Sequence, residues 1–185
     1  MLASFATTGA PPPTSQLADS ARAHGVDLPD TLRELSHTEL VFTDPDTSVV
    51  TGAVPFAAGA SPHRVRIASG PQAFANCAID ALGIAAMLNR DIDITSTDPH
   101  SGEPITATSR TGQWIWHPQT AVVFVGSRGT GPITQSCCPV INFFTNTDHA
   151  TAYQHRHDLS GVVLTMPQAV RAGALIFGDL MREPT

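Results

Sequence analysis

Cys77 and Asp80 lie three residues apart in the string Phe74-Ala75-Asn76-Cys77-Ala78-Ile79-Asp80-Ala81-Leu82-Gly83. The other two cysteines are adjacent in Gln135-Ser136-Cys137-Cys138-Pro139-Val140-Ile141-Asn142-Phe143-Phe144. A helix over Ala78 to Leu88 would project Cys77 and Asp80 from one face near its N-terminus, where the helix dipole favours a thiolate. A carboxyl set between two thiolates has its pKa raised by like-charge repulsion and desolvation, so it can hold a proton and deliver it. Thiolates are soft ligands that grip Hg(II), Cu(I) or Cd(II) in preference to hard cations. Two thiolates beside a protonated acid suit cleavage of a carbon–metal bond: the sulfurs donate electron density to the metal while the acid protonates the departing carbanion.

Plainer readings of the same residues exist. A cysteine near a helix start is often a small buried hydrophobe, and Cys137 fits that description better than Cys77 or Cys138. Asp80 could serve only as a first-turn carboxylate favoured by the dipole. The eight histidines, with His149, His155 and His157 close together, lack His-Glu-x-x-His or any Cys-x-x-Cys partner, so a zinc site is not expected and His155 and His157 are placed on a helix surface. Gly126-Ser127-Arg128-Gly129-Thr130-Gly131 resembles a phosphate loop only in its glycines, because the chain contains no lysine; it reads as a loop delivering Cys138. No Gly-x-Ser-x-Gly elbow supports a serine hydrolase.

The elements that must position these residues follow from periodicity and punctuation. Residues 1–14 are small, polar and proline-rich and are expected to form a disordered tail. Helices are expected from Ser15 to Gly25 and from Pro29 or Asp30 to His37, the latter from the helical recurrence of Leu28, Leu32 and Leu35. Leu40 to Thr43, the turn Asp44-Pro45-Asp46 and Val49 to Ala53 read as a hairpin. Residues 15–60 thus form a small winged-helix-like lead-in, and 61–185 the main domain. After a strand at His63 to Ile67 and the Cys77 helix, period-two runs at Ile92–Thr95, Pro104–Thr108, Gly112–Trp116 and Ala121–Val125 predict an antiparallel or mixed sheet. A helix over Ala150–His157, a strand over Gly161–Thr165 and a helix over Pro167–Met181 complete an α+β chain.

Composition narrows the function classes. The 185 residues are 42% hydrophobic with mean hydropathy near zero, as expected of one main core. The net charge of −6, with only ten basic residues, all arginine, gives no cationic stripe for a nucleic acid. No run approaches the roughly 20 apolar residues of a membrane span, and the N-terminus lacks a signal-peptide pattern, so the expectation is a cytoplasmic protein without a membrane role. Three cysteines, two of them adjacent, make a poor disulfide framework, and reduced thiols are expected.

At the cysteine motifs the chain resembles the organomercurial (alkylmercury) lyase family. The matching features are an aromatic-flanked Cys77-Ala78-Ile79-Asp80 opening a helix and, about sixty residues on, Gln135 to Phe144, similar to the family's Gln-Ser-Phe-Cys segment ending in Phe-Phe. The likeness continues through Ser101-Gly102-Glu103-Pro104-Ile105 and His157-Asp158-Leu159-Ser160-Gly161, and covers Val54 to Met181. It implies an α+β fold of the alkylmercury lyase type with flanking helices, and protonolysis of organomercurials to a hydrocarbon and Hg(II). It further implies Cys77 and Cys138 as the mercury-binding catalytic thiols and Asp80 as the proton carrier close to the metal. Counting back from Phe143-Phe144 puts the family's second cysteine on Cys138; Cys137 stands where phenylalanine is usual and is a candidate auxiliary thiol. Asn76 replaces an aromatic residue frequent before the first cysteine, a change that bears on substrate preference. No dissociable cofactor is implied; low-molecular-weight thiols and a mercuric reductase are the implied acceptors of the metal. Phe74, Met87, Trp114 and Phe143 are candidate pocket residues from their nearness in sequence. Two alternatives share these residues: a noncatalytic soft-metal binding protein for mercury or copper, and a lyase fold turned to another thiol-dependent reaction.

Overall fold

The computed structural model describes residues 1–57, 59–68, 70–131 and 136–181. Helices α1 (Leu2–Thr8), α2 (Thr14–Ala23) and α3 (Leu28–His37) lead into a hairpin of β1 (Val41–Thr43) and β2 (Val50–Ala53). Asp27 caps α3 by accepting from the Asp30 amide, and Pro29 occupies its first turn, where a missing N–H costs nothing. The turn between the hairpin strands is set by Asp44, whose carboxylate accepts from the Asp46 and Thr47 amides and the Thr47 hydroxyl. The Thr47 hydroxyl and amide hold the Asp44 carboxyl below its usual range.

The expected tail at residues 1–14 is instead partly helical. Phe5 is buried and stacks on the fully buried Phe56, with ring centroids 4.9 Å apart, so one large aromatic anchors a segment that composition marks as loose. The helix ends at Gly9, whose φ of 77° is readily adopted only without a side chain.

Beyond the lead-in, β3 (Arg64–Ile67), β4 (Gln72–Phe74), β5 (Ile92–Thr97), β6 (Pro104–Arg110) and β7 (Gln113–His117) form a five-stranded sheet in the order β4-β3-β5-β6-β7. A second sheet has the order β10-β8-β9, from β8 (Val122–Ser127), β9 (Asn142–Phe144) and β10 (Ser160–Thr165). Every strand pairing among the described residues is antiparallel. Alternation shows in β6, where Ile105, Ala107 and Ser109 are buried and Pro104, Thr106 and Arg110 are exposed. His63, just before β3, is buried and donates to or accepts from the Ser96 hydroxyl at 2.9 Å, and its ring meets Phe143 edge-on. Burial pushes His63 down to about 4, so it is a neutral link between the sheets.

Helix α4 (Ala78–Leu88) is buried on nearly all sides, as its apolar run, interrupted only by Asp80 and Gly83, requires. It packs on α6 (Met166–Phe177) through facing glycines. A Cβ on Gly83 would lie 2.2 Å from the Phe177 ring, and one on Gly173 would lie 2.8 Å from the Gly83 nitrogen, so this crossing admits no larger residue without displacement. Helix α5 (Thr147–Arg156) covers the outer face of the smaller sheet, burying Phe144, Tyr153 and Leu159 in a second cluster. It starts three residues earlier than its apolar pattern indicates because the Asn146 side chain caps it by accepting from His149 N. Short strands β4 and β9, three residues each, escape period-two reading altogether.

Candidate active site

The N-cap of α4 is Cys77, with extended φ and ψ of −148° and 176°, and its Sγ accepts from the Asp80 amide at 3.4 Å. The thiol that starts the helix is therefore fixed beside the carboxyl of the helix's third residue. Cys138 arrives from a different part of the chain. Residues 137–141 form a tight turn in which Val140 N and Ile141 N both donate to Cys137 O, and Asn142 Nδ2 donates to Pro139 O. The turn is tied to α4 by Ala78 N donating to Ile141 O at 3.1 Å, and to the end of β8 by Arg128 N donating to Ser136 O. Two backbone bonds thus bring a residue 61 positions away onto the helix N-terminus.

The structure brings Cys77, Asp80 and Cys138 to one cavity of about 430 Å³, walled by Val54, Ile79, Val125, Ile141, Leu164, Ala172 and Phe177, with Leu40, Ile176 and Leu180 at its rim. Cys77 is buried, Asp80 is 6% exposed and Cys138 is half-buried. All three cysteines are free thiols. The Cys77 thiol donates to Cys138 sulfur, and this bond, together with burial and the nearby Asp80 charge, raises Cys77 well above an ordinary thiol. The same bond lowers Cys138. These opposed directions make Cys138, and not the helix-capping Cys77, the sulfur of the pair that ionises more readily. The cause is the donor–acceptor relation between the sulfurs, which outweighs the single Asp80 amide at Cys77.

Asp80 is pushed up to about 6 by burial, against hydrogen bonds from Cys77 and Asn76 that act downward. Desolvation, and not repulsion between like charges, dominates that shift. Near neutrality the carboxyl is close enough to its titration point to take and give a proton.

Cys137 does not line the cavity; its sulfur is 3.5 Å from the Ser136 hydroxyl. Gln135, part of the second motif, lies outside the described residues. The pocket candidates Phe74, Met87, Trp114 and Phe143 are also corrected, since none of them faces the thiols. Met87 and Phe143 are buried in the core, and Trp114 borders a separate cavity behind α4 with Arg90 and Asp91. Nearness in sequence fails here because the actual walls come from β8, β10 and α6, which only the packing of the smaller sheet on α4 brings close. The lead-in contributes as well: Leu40 sits on the rim, and the Glu39 charge acts on Cys138. Glu39 and Leu40 carry no motif, and a left-handed turn at Glu39, φ 58°, turns the chain there.

His149 hydrogen-bonds Asp98 away from the cavity, while His155 and His157 are exposed on α5 and at its end. No group of three or more His, Cys, Asp or Glu among the described residues is arranged to hold a metal ion. No helix among the described residues is long and apolar enough to cross a membrane.

The geometry agrees with comparisons to known proteins. The chain is 30% identical over 118 residues to an alkylmercury lyase of Bacillus cereus, covering 63% of this chain and 53% of that one. It is 29% identical over 126 residues to an alkylmercury lyase of Streptomyces lividans, covering 64% and 58% respectively. It therefore spans little more than half the length of the curated relatives it matches. The crystal structure of the mercury-bound form of MerB2 superposes with a TM-score of 0.77 over 90% of this chain and 81% of that one, at 23% identity, which establishes the shared α+β fold. The family model for alkylmercury lyase (MerB) matches residues 56–178, a span holding both cysteine motifs and every wall of the cavity except Val54 and the rim residues Leu40 and Leu180, and on that match the chain belongs to the alkylmercury lyase family.

Proposed function

We propose that this protein cleaves the carbon–mercury bond of organomercurials by protonolysis, releasing a hydrocarbon and retaining Hg(II) between Cys77 and Cys138. The observation that carries the reading is the convergence of two free thiols, Cys77 and Cys138, and a buried carboxyl pushed up to about 6 at the head of an apolar cavity. Cys138, the sulfur lowered by its partner, attacks the mercury first and displaces the thiol or halide that the organomercurial carries. Cys77 then passes its proton to ionised Asp80 and joins the metal as a second thiolate. The carbon, now on an electron-rich mercury, takes the proton from Asp80, so the carbon–mercury bond breaks as the carbon–hydrogen bond forms. Asp80 ends ionised and both sulfurs hold Hg(II), which balances charge and protons.

The apolar walls accept the organic group, and the exposed rim of Leu40, Ile176 and Leu180 leaves an opening for it to enter. Low-molecular-weight thiols in the cytoplasm would remove the product, with a mercuric reductase as the eventual acceptor. Residues 61–181 supply the thiols and the proton carrier, and the lead-in at 15–60 supplies part of the cover.

The test is single-turnover release of benzene from phenylmercury in excess thiol, beside Cys77→Ala, Cys138→Ala and Cys137→Ala. Release that is lost with Cys77 or Cys138 and kept without Cys137 supports the assignment. Mercury retained with no benzene from the unaltered protein points instead to a soft-metal binding protein.

A further inference from the structure

A second cavity, of about 460 Å³, lies beside the C-terminal half of α4 and shares no lining residue with the cavity of the thiols. Its floor is apolar, built from Leu82 and Ala85 of α4 and Val170 and Ala174 of α6, and the Trp114 ring of β7 forms one wall. Ser109 of β6 stands directly opposite Trp114 in the antiparallel pairing, so the two side chains share one face of the sheet. Ser109 is only 2% exposed and borders the cavity, and its hydroxyl has no hydrogen-bond partner among the described residues. A buried hydroxyl left without a partner costs free energy, which a polar group of a bound molecule recovers. We propose that this cavity binds a small, neutral, flat molecule of one or two rings, its apolar body against Trp114 and α4 and its single hydroxyl or carbonyl hydrogen-bonded to Ser109.

The mouth of this cavity is preformed and balanced in charge. Arg90 Nη2 donates to Ala68 O at 2.7 Å, and Asp91 accepts from Thr111 N at 2.7 Å, which fixes the Thr111-Gly112 turn with its left-handed φ values of 49° and 79°. Each charge is tied to a backbone group and the two have opposite signs, so the mouth favours neither an anion nor a cation. Deeper in, the Ser109 hydroxyl is uncharged, and an ionised group buried beside it would lack a counter-charge. A hydroxyl donates or accepts, which admits a phenol and a carbonyl alike. The volume lies within the range of small-molecule sites. None of these residues takes part in the proposed carbon–mercury cleavage, so the site stands or falls apart from that reading.

The experiment is an NMR titration of the nitrogen-labelled full chain with 2-naphthol, which is uncharged at neutral pH. Saturable shifts are expected at the Trp114 indole N–H and at the Ser109 and Thr111 amides, with a Kd on the order of 0.1–1 mM. The same shifts should appear when Hg(II) has been added first, because the thiols lie in the other cavity. Ser109→Ala should weaken 2-naphthol about fivefold to tenfold. The carboxylate of the same ring system, 2-naphthoate, should bind about tenfold more weakly than 2-naphthol or worse. Shifts confined to the walls of the thiol cavity, such as Val54 and Ile141, overturn the proposal. So does the absence of saturation up to the solubility of the probe, equal affinity in Ser109→Ala, or tighter binding of 2-naphthoate. If Ser109→Ala does not fold, the shift map of the unaltered protein and its preference between the two probes decide the matter. Failure to release benzene from phenylmercury would remove the lyase reading and leave this result standing.

Discussion

Asp80 and Asp98 are both buried carboxylates in one small protein, and they are treated in opposite ways. Asp98, at the end of β5, is fully buried, and that burial alone would raise it. It nevertheless accepts from the amides of Thr145, His100 and Ser101, from the Thr145 hydroxyl and from His149 Nδ1, and these bonds hold it down to about 2. The network joins the five-stranded sheet to the start of α5 and fixes the turn into β6. At Asp80 the bonds from Cys77 and Asn76 do not offset desolvation, and burial wins, leaving it at about 6. A saturated carboxylate is a stable ionic fastener; an undersupplied one is reactive, because neither of its protonation states is strongly preferred near neutrality.

That contrast predicts opposite outcomes from similar substitutions. Asp98→Ala should lose about 3–5 kcal/mol of stability, read from urea unfolding, since it strands the Thr145 amide and the His149 ring together. Asp80→Ala should leave folding nearly intact and lower benzene release by about 10²–10⁴-fold while mercury is still bound. If the two variants destabilise equally, the distinction between fastener and reactive acid fails.

The pH dependences should diverge next. Asp80 has a folded pKa of about 6 above its ordinary 3.8, so its protonated form is preferred in the fold; the stability this gives is full below about pH 4 and lost as pH rises through 6. Asp80→Asn should therefore be more stable than the unaltered protein at pH 8, on the order of 3 kcal/mol at most, and no more stable at pH 4. Asp98 is depressed, so its contribution is present above about pH 4 and disappears as pH falls toward 2; acid unfolding should be blunted in Asp98→Asn over that window alone. Thermal melts across the two ranges check both signs.

The smallest expected effect sharpens the thiol side of the site. At pH 7 iodoacetamide should alkylate Cys138 about tenfold faster than Cys77, followed by mass spectrometry of each peptide. Cys77→Ala removes the donor that lowers Cys138, so the reactivity of Cys138 should shift to higher pH in that variant. Preferential labelling of Cys77 would reverse the order of attack proposed above.

The helix that carries the site was legible because Ala78–Leu88 is a predominantly apolar segment behind a capping residue, and Cys77–Asp80 spacing is a local property of a helix start. Most strand centres were legible too, since period-two runs survive in β5, β6 and β7. What escaped has long-range causes. Phe5 orders an otherwise polar terminus only because Phe56 lies opposite it. Strands β4 and β9 are too short to show a period and exist because neighbours pair with them. The cavity walls are contributed by elements that a linear reading does not connect to Cys77.

The sequence by itself determined the reactive groups: which three thiols exist, that Cys77 and Asp80 share a helix start, and that counting back from Phe143-Phe144 makes Cys138 the cysteine of the second motif. Only the tertiary structure decided their states. Whether a thiol holds or yields its proton depends on who donates to whom across the Cys77–Cys138 contact, and whether a buried carboxyl is a fastener or a proton carrier depends on how many donors reach it. Those are counts of neighbours in space, set by the packing of distant segments, and no local pattern of residues encodes them.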